Sequence, residues 1–241
     1  MFKTIKKLIE IYEIFKLLIK AESYRIIITN QKEHLLSGLC DVYGSDKGSL
    51  NISSNVYMWP AHTYTEIYAE IFSGRRESVL KVFECGIGTN NPILESNMGI
   101  KGMPGASLRL WKEYFPNAEI FGADIDKTIL FQDNRISTYY VDQLSADSVC
   151  ELWKSIGNSG EFDLMIDDGL HTFNAAVTLF EGSVSMLRSN GVYIIEDIYI
   201  RDLKQFYSYF HNKNFKISTA ILGRKSLNFE DNCLLIVQKK D

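Results

Sequence analysis

Val79-Leu-Lys-Val-Phe-Glu-Cys-Gly-Ile-Gly88 is a short apolar run that breaks on two glycines. A run of this length and content, bounded by turn residues, reads as a buried strand. Gly86 and Gly88 let the backbone turn tightly and approach a ligand closely. Beyond them lies a stretch rich in Gly, Asn and Pro (89–105), and then a helical pattern over 106–115, closed by Pro116. Strand-like segments follow at 119–124, 137–142, 162–167 and 192–197, and helical ones at 146–156, 172–187 and 202–210. Two last strands, 215–221 and 233–238, are joined by polar turn residues without a clear helix. Alternation of this kind predicts an α/β, doubly wound fold, a mainly parallel sheet with helices on both faces. The final two strands are expected to pair antiparallel, at one edge.

The chain has 241 residues, 46% apolar and 23% charged, a balance that excludes a disordered protein and supplies a sizeable core. Its formal charge of −4 argues against a nucleic-acid binder that relies on global attraction to phosphate. Cys40, Cys85, Cys150 and Cys233 show no paired spacing, so neither a zinc site nor a disulfide framework is expected, and the usage suits a reducing cytoplasm.

Residues 1–77 precede the alternating core and read as a mostly helical extension, with a turn-rich patch over 43–54. This extension is expected to cover the active site or to build an oligomer, and 78–241 to form the catalytic domain. Within 1–20, Lys6, Lys7, Glu10, Glu13 and Lys16 interrupt every apolar run, so nothing approaches the ~18 apolar residues of a membrane span. Ile5, Leu8, Ile9, Tyr12, Phe15 and Ile19 recur at helical spacing. The plainer reading is a helix packed on the domain or on a second subunit, which points to a homo-oligomer. The sharper one is a basic amphipathic helix lying on a membrane surface.

In such sheets ligands bind beyond the carboxyl ends of the strands. The sequence puts Glu84, Gly86 and Gly88 there on the first strand, Asp124 and Asp126 on the second, and Asp142 and Gln143 on the third. The fourth strand ends in Asp167 and Asp168, with His171 one turn on, and the fifth in Glu196 and Asp197. Acidic groups at five strand ends exceed what helix capping needs. The third glycine of a dinucleotide fingerprint is replaced by Asn91, followed by Pro92, which disfavours a pyrophosphate. Glu84 would repel phosphate but accept from an ammonium or hydroxyl. Asp124 suits a ribose diol, and Asp142 and Gln143 suit the edge of an adenine. A nucleoside with a positive centre and no phosphate fits this set: S-adenosylmethionine.

Asp168, Glu196 and Asp197 would repel one another unless protonated or neutralised by a cation. Oxygen ligands favour a hard divalent ion, magnesium or else manganese. His171 can reach the same cavity as a general base. The plainer alternatives are ordinary strand-end polarity and, for Asp167 and Asp168, helix capping. His34, His62 and His211 read as surface or satisfied core residues, and the aromatic run 207–210 as packing.

The set Glu84-Cys-Gly-Ile-Gly88, Ser107-Leu-Arg-Leu-Trp111, Phe121-Gly-Ala-Asp124, Asp142-Gln143, Ile166-Asp-Asp-Gly-Leu-His171 and Ile194-Ile-Glu-Asp197 resembles the class I S-adenosylmethionine-dependent methyltransferases. Within them it is most similar to the metal-dependent sugar O-methyltransferases of the mycinamicin and macrocin type and their relatives in bacterial surface-polysaccharide synthesis. Tyr43-Gly-Ser-Asp-Lys-Gly48 and His62-Thr-Tyr64 also match this group. The resemblance implies a Rossmann-like, seven-stranded sheet with magnesium held by Asp168, Glu196 and Asp197. It implies His171 as the base that deprotonates a hydroxyl of a sugar or sugar-nucleotide acceptor. Glu84, Gly86, Gly88, Asp124, Asp142 and Gln143 would surround the methyl donor, with Asp167 beside it. The chain departs from the pattern in its missing third glycine and in Leu170, where a small Ser is common. Two other function classes stay open at this point: a nicotinamide-dependent oxidoreductase or epimerase on a similar fold, and a catalytically silent subunit that docks a partner.

Overall fold

The computed structural model describes residues 12, 24–27, 33–48, 57, 59–157, 160–222 and 231–239. Among these, nine strands form one sheet. In chain order they are β1 (Tyr24–Ile27), β2 (Lys81–Cys85), β3 (Glu119–Asp124), β4 (Gln132–Asp133), β5 (Ile136–Tyr140), β6 (Phe162–Asp167), β7 (Leu187–Ile198), β8 (Phe215–Leu222) and β9 (Cys233–Lys239). The helices are α1 (Leu35–Tyr43), α2 (Thr65–Ile71), α3 (Ala106–Tyr114), α4 (Ala146–Ile156), α5 (Phe173–Ser183) and α6 (Leu203–His211).

The strand order is β1-β8-β9-β7-β6-β2-β3-β5-β4. The run β5-β3-β2-β6-β7 is parallel throughout, and β9 lies antiparallel between β7 and β8. This is the doubly wound, mainly parallel arrangement that the alternation predicts, with a short strand added at each edge. β4 pairs antiparallel with β5. β1 pairs parallel with β8, so a strand lies within the stretch expected to be mostly helical. Its Tyr-Arg-Ile-Ile sequence is β-prone, and an open sheet edge gives such a segment backbone partners.

β7 runs five residues earlier than the expected strand. Arg188-Ser-Asn-Gly191 reads as a turn, yet it is carried in the strand by a register shift between Phe162 and Leu164 of the neighbouring β6. The amphipathic segment 1–20, on which the oligomer and membrane-surface expectations rest, lies outside the described residues apart from Tyr12. Among the described residues no helix is long and apolar enough to cross a membrane.

Alternate residues of each strand face opposite sides of the sheet. Val82, Ile120, Leu164, Ile166 and Ile194 pack with Leu36, Leu39, Ile67, Leu108 and Trp111 of α1, α2 and α3. Phe83, Phe121, Met165, Tyr193 and Ile195 pack on the other side with Val149, Leu152, Leu179, Phe180 and Phe206 of α4, α5 and α6. Each of these large side chains contributes about 1.5–3 kcal/mol by leaving water, so both faces are held firmly and the strand ends between them are fixed in place. The same alternation carries into the polar strand ends. Glu84 follows Val82 and Glu196 follows Ile194 toward the α1–α3 side, whereas Asp167 follows Met165 toward the other.

α1 opens on a reciprocal cap in which Ser37 N donates to His34 Nδ1 and His34 N to Ser37 Oγ. It ends at Gly44, whose φ of 74° is left-handed and suits glycine. That turn delivers Ser45, Asp46 and Lys47 to the carboxyl ends of the strands.

Candidate active site

A cavity of about 480 Å³ opens at the carboxyl ends of β2, β3, β5, β6 and β7. One half is built by the turn after β2. Gly86 and Gly88 have φ of 85° and 83°, and a Cβ on Gly86 would lie 2.0 Å from the Asp168 carbonyl oxygen, where the exit of β6 passes over the turn. Only glycine fits there. Asp124 accepts from Ile87 N at 3.0 Å and Asp126 N at 2.9 Å, so its carboxylate staples the turn to the end of β3. Burial pushes the Asp124 carboxyl up, and those backbone donors oppose the shift. Asp142 lines the cavity and accepts from Leu144 N at 3.0 Å.

Gln143 also lines the cavity, but its amide is engaged within the protein: Nε2 donates to Asp167 Oδ1 at 2.5 Å and Oε1 accepts from Leu170 N at 2.9 Å. Asp167 is buried behind it, and burial raises its carboxyl to about 6. Glu84 is buried as well and accepts from Trp111 Nε1 at 2.9 Å. Neither Glu84 nor Asp167 is among the residues that line the cavity, so of the expected donor contacts Gly86, Gly88, Asp124, Asp142 and Gln143 reach its surface.

The other half is ionic. His171 Nε2 lies 3.3 Å from Asp168 Oδ1 and 3.5 Å from Asp197 Oδ2, and the three residues each offer a ligand atom within 4.8 Å of the others. His171 and Asp197 have φ of 58° and 53°, a left-handed backbone that non-glycine residues rarely adopt and that is held here at the site. Burial would lower the His171 pKa, but the carboxylates of Asp197, Asp168 and Asp167 outweigh it and raise it to about 10. Burial likewise opposes the Asp168 charge, yet Lys47 and His171 hold its carboxyl well below the usual range.

Glu196, expected beside these carboxylates as a third ligand, is not brought to the cavity. Neighbouring residues on a strand alternate, and Glu196 turns toward the α1–α3 side. There its Oε1 accepts from Tyr68 at 2.6 Å and its Oε2 from Lys47. Lys47 is 2% exposed; it also contacts Asp168 at 2.7 Å and Glu84 at 3.1 Å. Burial would strip its proton, but Asp168, Glu196 and Glu84 keep it charged and push its pKa well up.

Asp197 accepts from Tyr64 at 2.5 Å and lies 3.5 Å from His62 Nε2. His62 is buried, stacked on Tyr64 at 4.5 Å, and paired through Nδ1 with Asn232 Oδ1 at 2.9 Å. Sequence reasoning gave Lys47, His62, Tyr64 and Tyr68 no role. The one signal was that Tyr43–Gly48 and His62–Tyr64 belong to the motif set; their partners Asp168, Glu196 and Asp197 lie more than 100 residues away, where spacing carries no information.

No protein-family model matches the chain. It is 32% identical over 163 residues to the 8-demethyl-8-alpha-L-rhamnosyl tetracenomycin-C 2'-O-methyltransferase of Streptomyces olivaceus, a match covering 68% of this chain and 37% of that protein. It is 31% identical over 183 residues to the mycinamicin VI 2''-O-methyltransferase of Micromonospora griseorubida, covering 73% and 42%. The chain therefore spans less than half the length of these curated relatives. Among solved structures, the mycinamycin-pathway methyltransferase MycE in complex with Mg and SAH superposes with a TM-score of 0.61 at 24% identity, over 87% of this chain and 56% of MycE. Similarity in sequence and likeness in fold make this chain a homologue of the sugar O-methyltransferases of the mycinamicin and tetracenomycin type, built on the class I methyltransferase fold.

Proposed function

We propose that the chain transfers a methyl group from S-adenosylmethionine to a hydroxyl of a sugar or sugar conjugate, with the help of a divalent cation. The observation that carries this reading is the placement of His171 between Asp168 and Asp197, in one cavity with the Gly86–Asp124 turn. The relatives' printed activities, O-methylation of glycosylated natural products, supply the acceptor class. A sugar destined for a bacterial capsule, a surface polysaccharide or an antibiotic, methylated in the cytoplasm, is the setting we favour.

The residues present fit both groups. The two carboxylates of Asp168 and Asp197, converging on one point of the cavity, suit a hard divalent ion, magnesium in preference to manganese, and leave the His171 imidazole for the proton. Gly86 and Gly88 leave room for a donor to approach the backbone, and Asp124 and Asp142 offer acceptors for hydroxyl and amine groups. When bound, S-adenosylmethionine supplies an electrophilic methyl on sulfur, and the cation supplies Lewis acidity beside the acceptor oxygen.

Asp168 and Asp197 hold the imidazole between them and set its charge. Asp168 and Asp197 would also hold the cation, and with their charge so offset His171 Nε2 would be the group that accepts the proton of the acceptor hydroxyl. Tyr64 and His62 orient Asp197, while Lys47 fixes Asp168 from behind. Since Lys47, His62 and Tyr64 lie before residue 78, the preceding segment acts as a cover that completes the site of the catalytic domain over 78–241.

The reading is tested by following label from [methyl-14C]-S-adenosylmethionine into a panel of glycosides and sugar nucleotides, with magnesium or after exhaustive chelation. Label in a sugar, lost on chelation and lost in His171→Ala with donor binding intact, is the expected result. Full turnover in chelated protein would sink the role of the cation, and full turnover in His171→Ala that of the base.

A further inference from the structure

The cavity has a wall that methyl transfer as described leaves unused. Trp59 and Tyr57 line it, with ring centroids 5.2 Å apart and planes inclined by 32°. The polar end of each ring is held by the protein. Trp59 Nε1 donates to Asp46 Oδ2 at 2.8 Å, and the Tyr57 hydroxyl donates to the Gly44 carbonyl at 2.5 Å. Both rings are thereby fixed, and what they offer a ligand is aromatic surface.

Asp46 stands beside them, its side chain 25% exposed and lining the cavity. One of its oxygens takes the indole N–H; the other has no partner among the described residues. A chain of contacts leads from Asp46 to the reacting group: His62 Nε2 lies 3.9 Å from Asp46 and 3.5 Å from Asp197, and Asp197 lies 3.5 Å from His171. The wall is thus joined to the proton-accepting side of the cavity.

We infer that Trp59 and Asp46 form the subsite for the acceptor's ring, a neutral pyranose laid on the indole with a hydroxyl donated to the carboxylate. A pyranose carries a patch of C–H bonds on its face and hydroxyls around its rim, and a fixed aromatic surface beside a carboxylate complements both. The Asp46 carboxylate, whose one N–H partner among the described residues is the indole of Trp59, disfavours an acidic sugar at this subsite. The acceptor class this selects is an uncharged glycoside, which rests on the sugar methyltransferase reading.

The chain's three tryptophans give a direct readout, because Trp111 and Trp153 are buried in the core and Trp59 faces the cavity. The full chain is titrated with the methyl glycosides of rhamnose, glucose, galactose and mannose, and with the open-chain polyol rhamnitol, by emission and by calorimetry. A saturable emission change with at least one cyclic glycoside and none with rhamnitol is expected. Trp59→Phe should abolish the emission change while keeping calorimetric binding, whereas Trp59→Ala and Asp46→Ala should each weaken binding about tenfold. Calorimetry with S-adenosylhomocysteine on the same samples shows that the variants are folded. The subsite is overturned if no glycoside alters the emission, or if Trp59→Ala and Asp46→Ala bind glycoside as wild type does. A protein that binds glycosides at Trp59 yet takes up no S-adenosylhomocysteine would keep the subsite and refute the methyltransferase reading instead.

Discussion

The two halves of the cavity are built in opposite ways. The turn half is local: β2, Gly86, Gly88 and Asp124 lie within 44 residues, and backbone hydrogen bonds from Ile87 and Asp126 to one carboxylate hold it. The ionic half is assembled from far apart, with Lys47, His62 and Tyr64 meeting Asp168, Glu196 and Asp197 across more than 100 residues of chain. A local turn is specified by residue type; a remote charge cluster is specified only by the completed fold. The first should therefore tolerate disturbance of tertiary packing better than the second.

Lys47→Met should break this contrast most strongly. It leaves Glu84 and Glu196 buried beside Asp168 without their common cation, at a cost of about 3–5 kcal/mol. Urea unfolding measures it, and a loss below about 1 kcal/mol would show that the cluster is not held by this lysine.

Gly86→Ala probes a place where the backbones of the two halves touch. Left-handed φ and the contact with the Asp168 carbonyl should together cost about 2 kcal/mol and displace the exit of β6. The variant should weaken both S-adenosylhomocysteine and Mn²⁺ binding, read by calorimetry and by the electron paramagnetic resonance of bound manganese. Loss of the first alone would mean that the halves are independent.

Asp142→Ala sharpens the division. It removes a cavity-lining acceptor from the turn half and should reduce S-adenosylhomocysteine affinity about fivefold to tenfold, leaving Mn²⁺ affinity unchanged.

A further effect is pH-dependent. His171 is raised to about 10 in the folded, cation-free protein against 6.5 in an exposed chain. A raised pKa means that its protonation stabilises the fold fully below about pH 6.5 and that this contribution is lost as pH climbs toward 10. The melting-temperature gap between wild type and His171→Gln, taken in chelator, should close over that window. A gap that stays constant with pH would show that the imidazole carries no extra proton.

The parallel order of β2, β3, β5, β6 and β7 was legible because apolar runs end in glycine or aspartate at each strand terminus, and the bounds of β3 and β6 agree to the residue. β1 and the early start of β7 were not. The first depends on an edge partner near the other end of the chain, and the second hides behind Ser189-Asn-Gly191, which usually marks a turn. In the site, residue types and strand ends were readable, and Asp168, His171 and Asp197 do meet. The direction of each side chain was not: Glu84 and Glu196 look like cavity residues until strand alternation turns them toward Lys47. Nor does any spacing announce a lysine that waits 121 residues before its aspartate.

The most direct test of the account is isothermal titration of the full chain with S-adenosylhomocysteine, with NAD as the control ligand. One-to-one binding of S-adenosylhomocysteine in the micromolar range, and none of NAD, is the result predicted. Binding of NAD alone, or of neither, would contradict it.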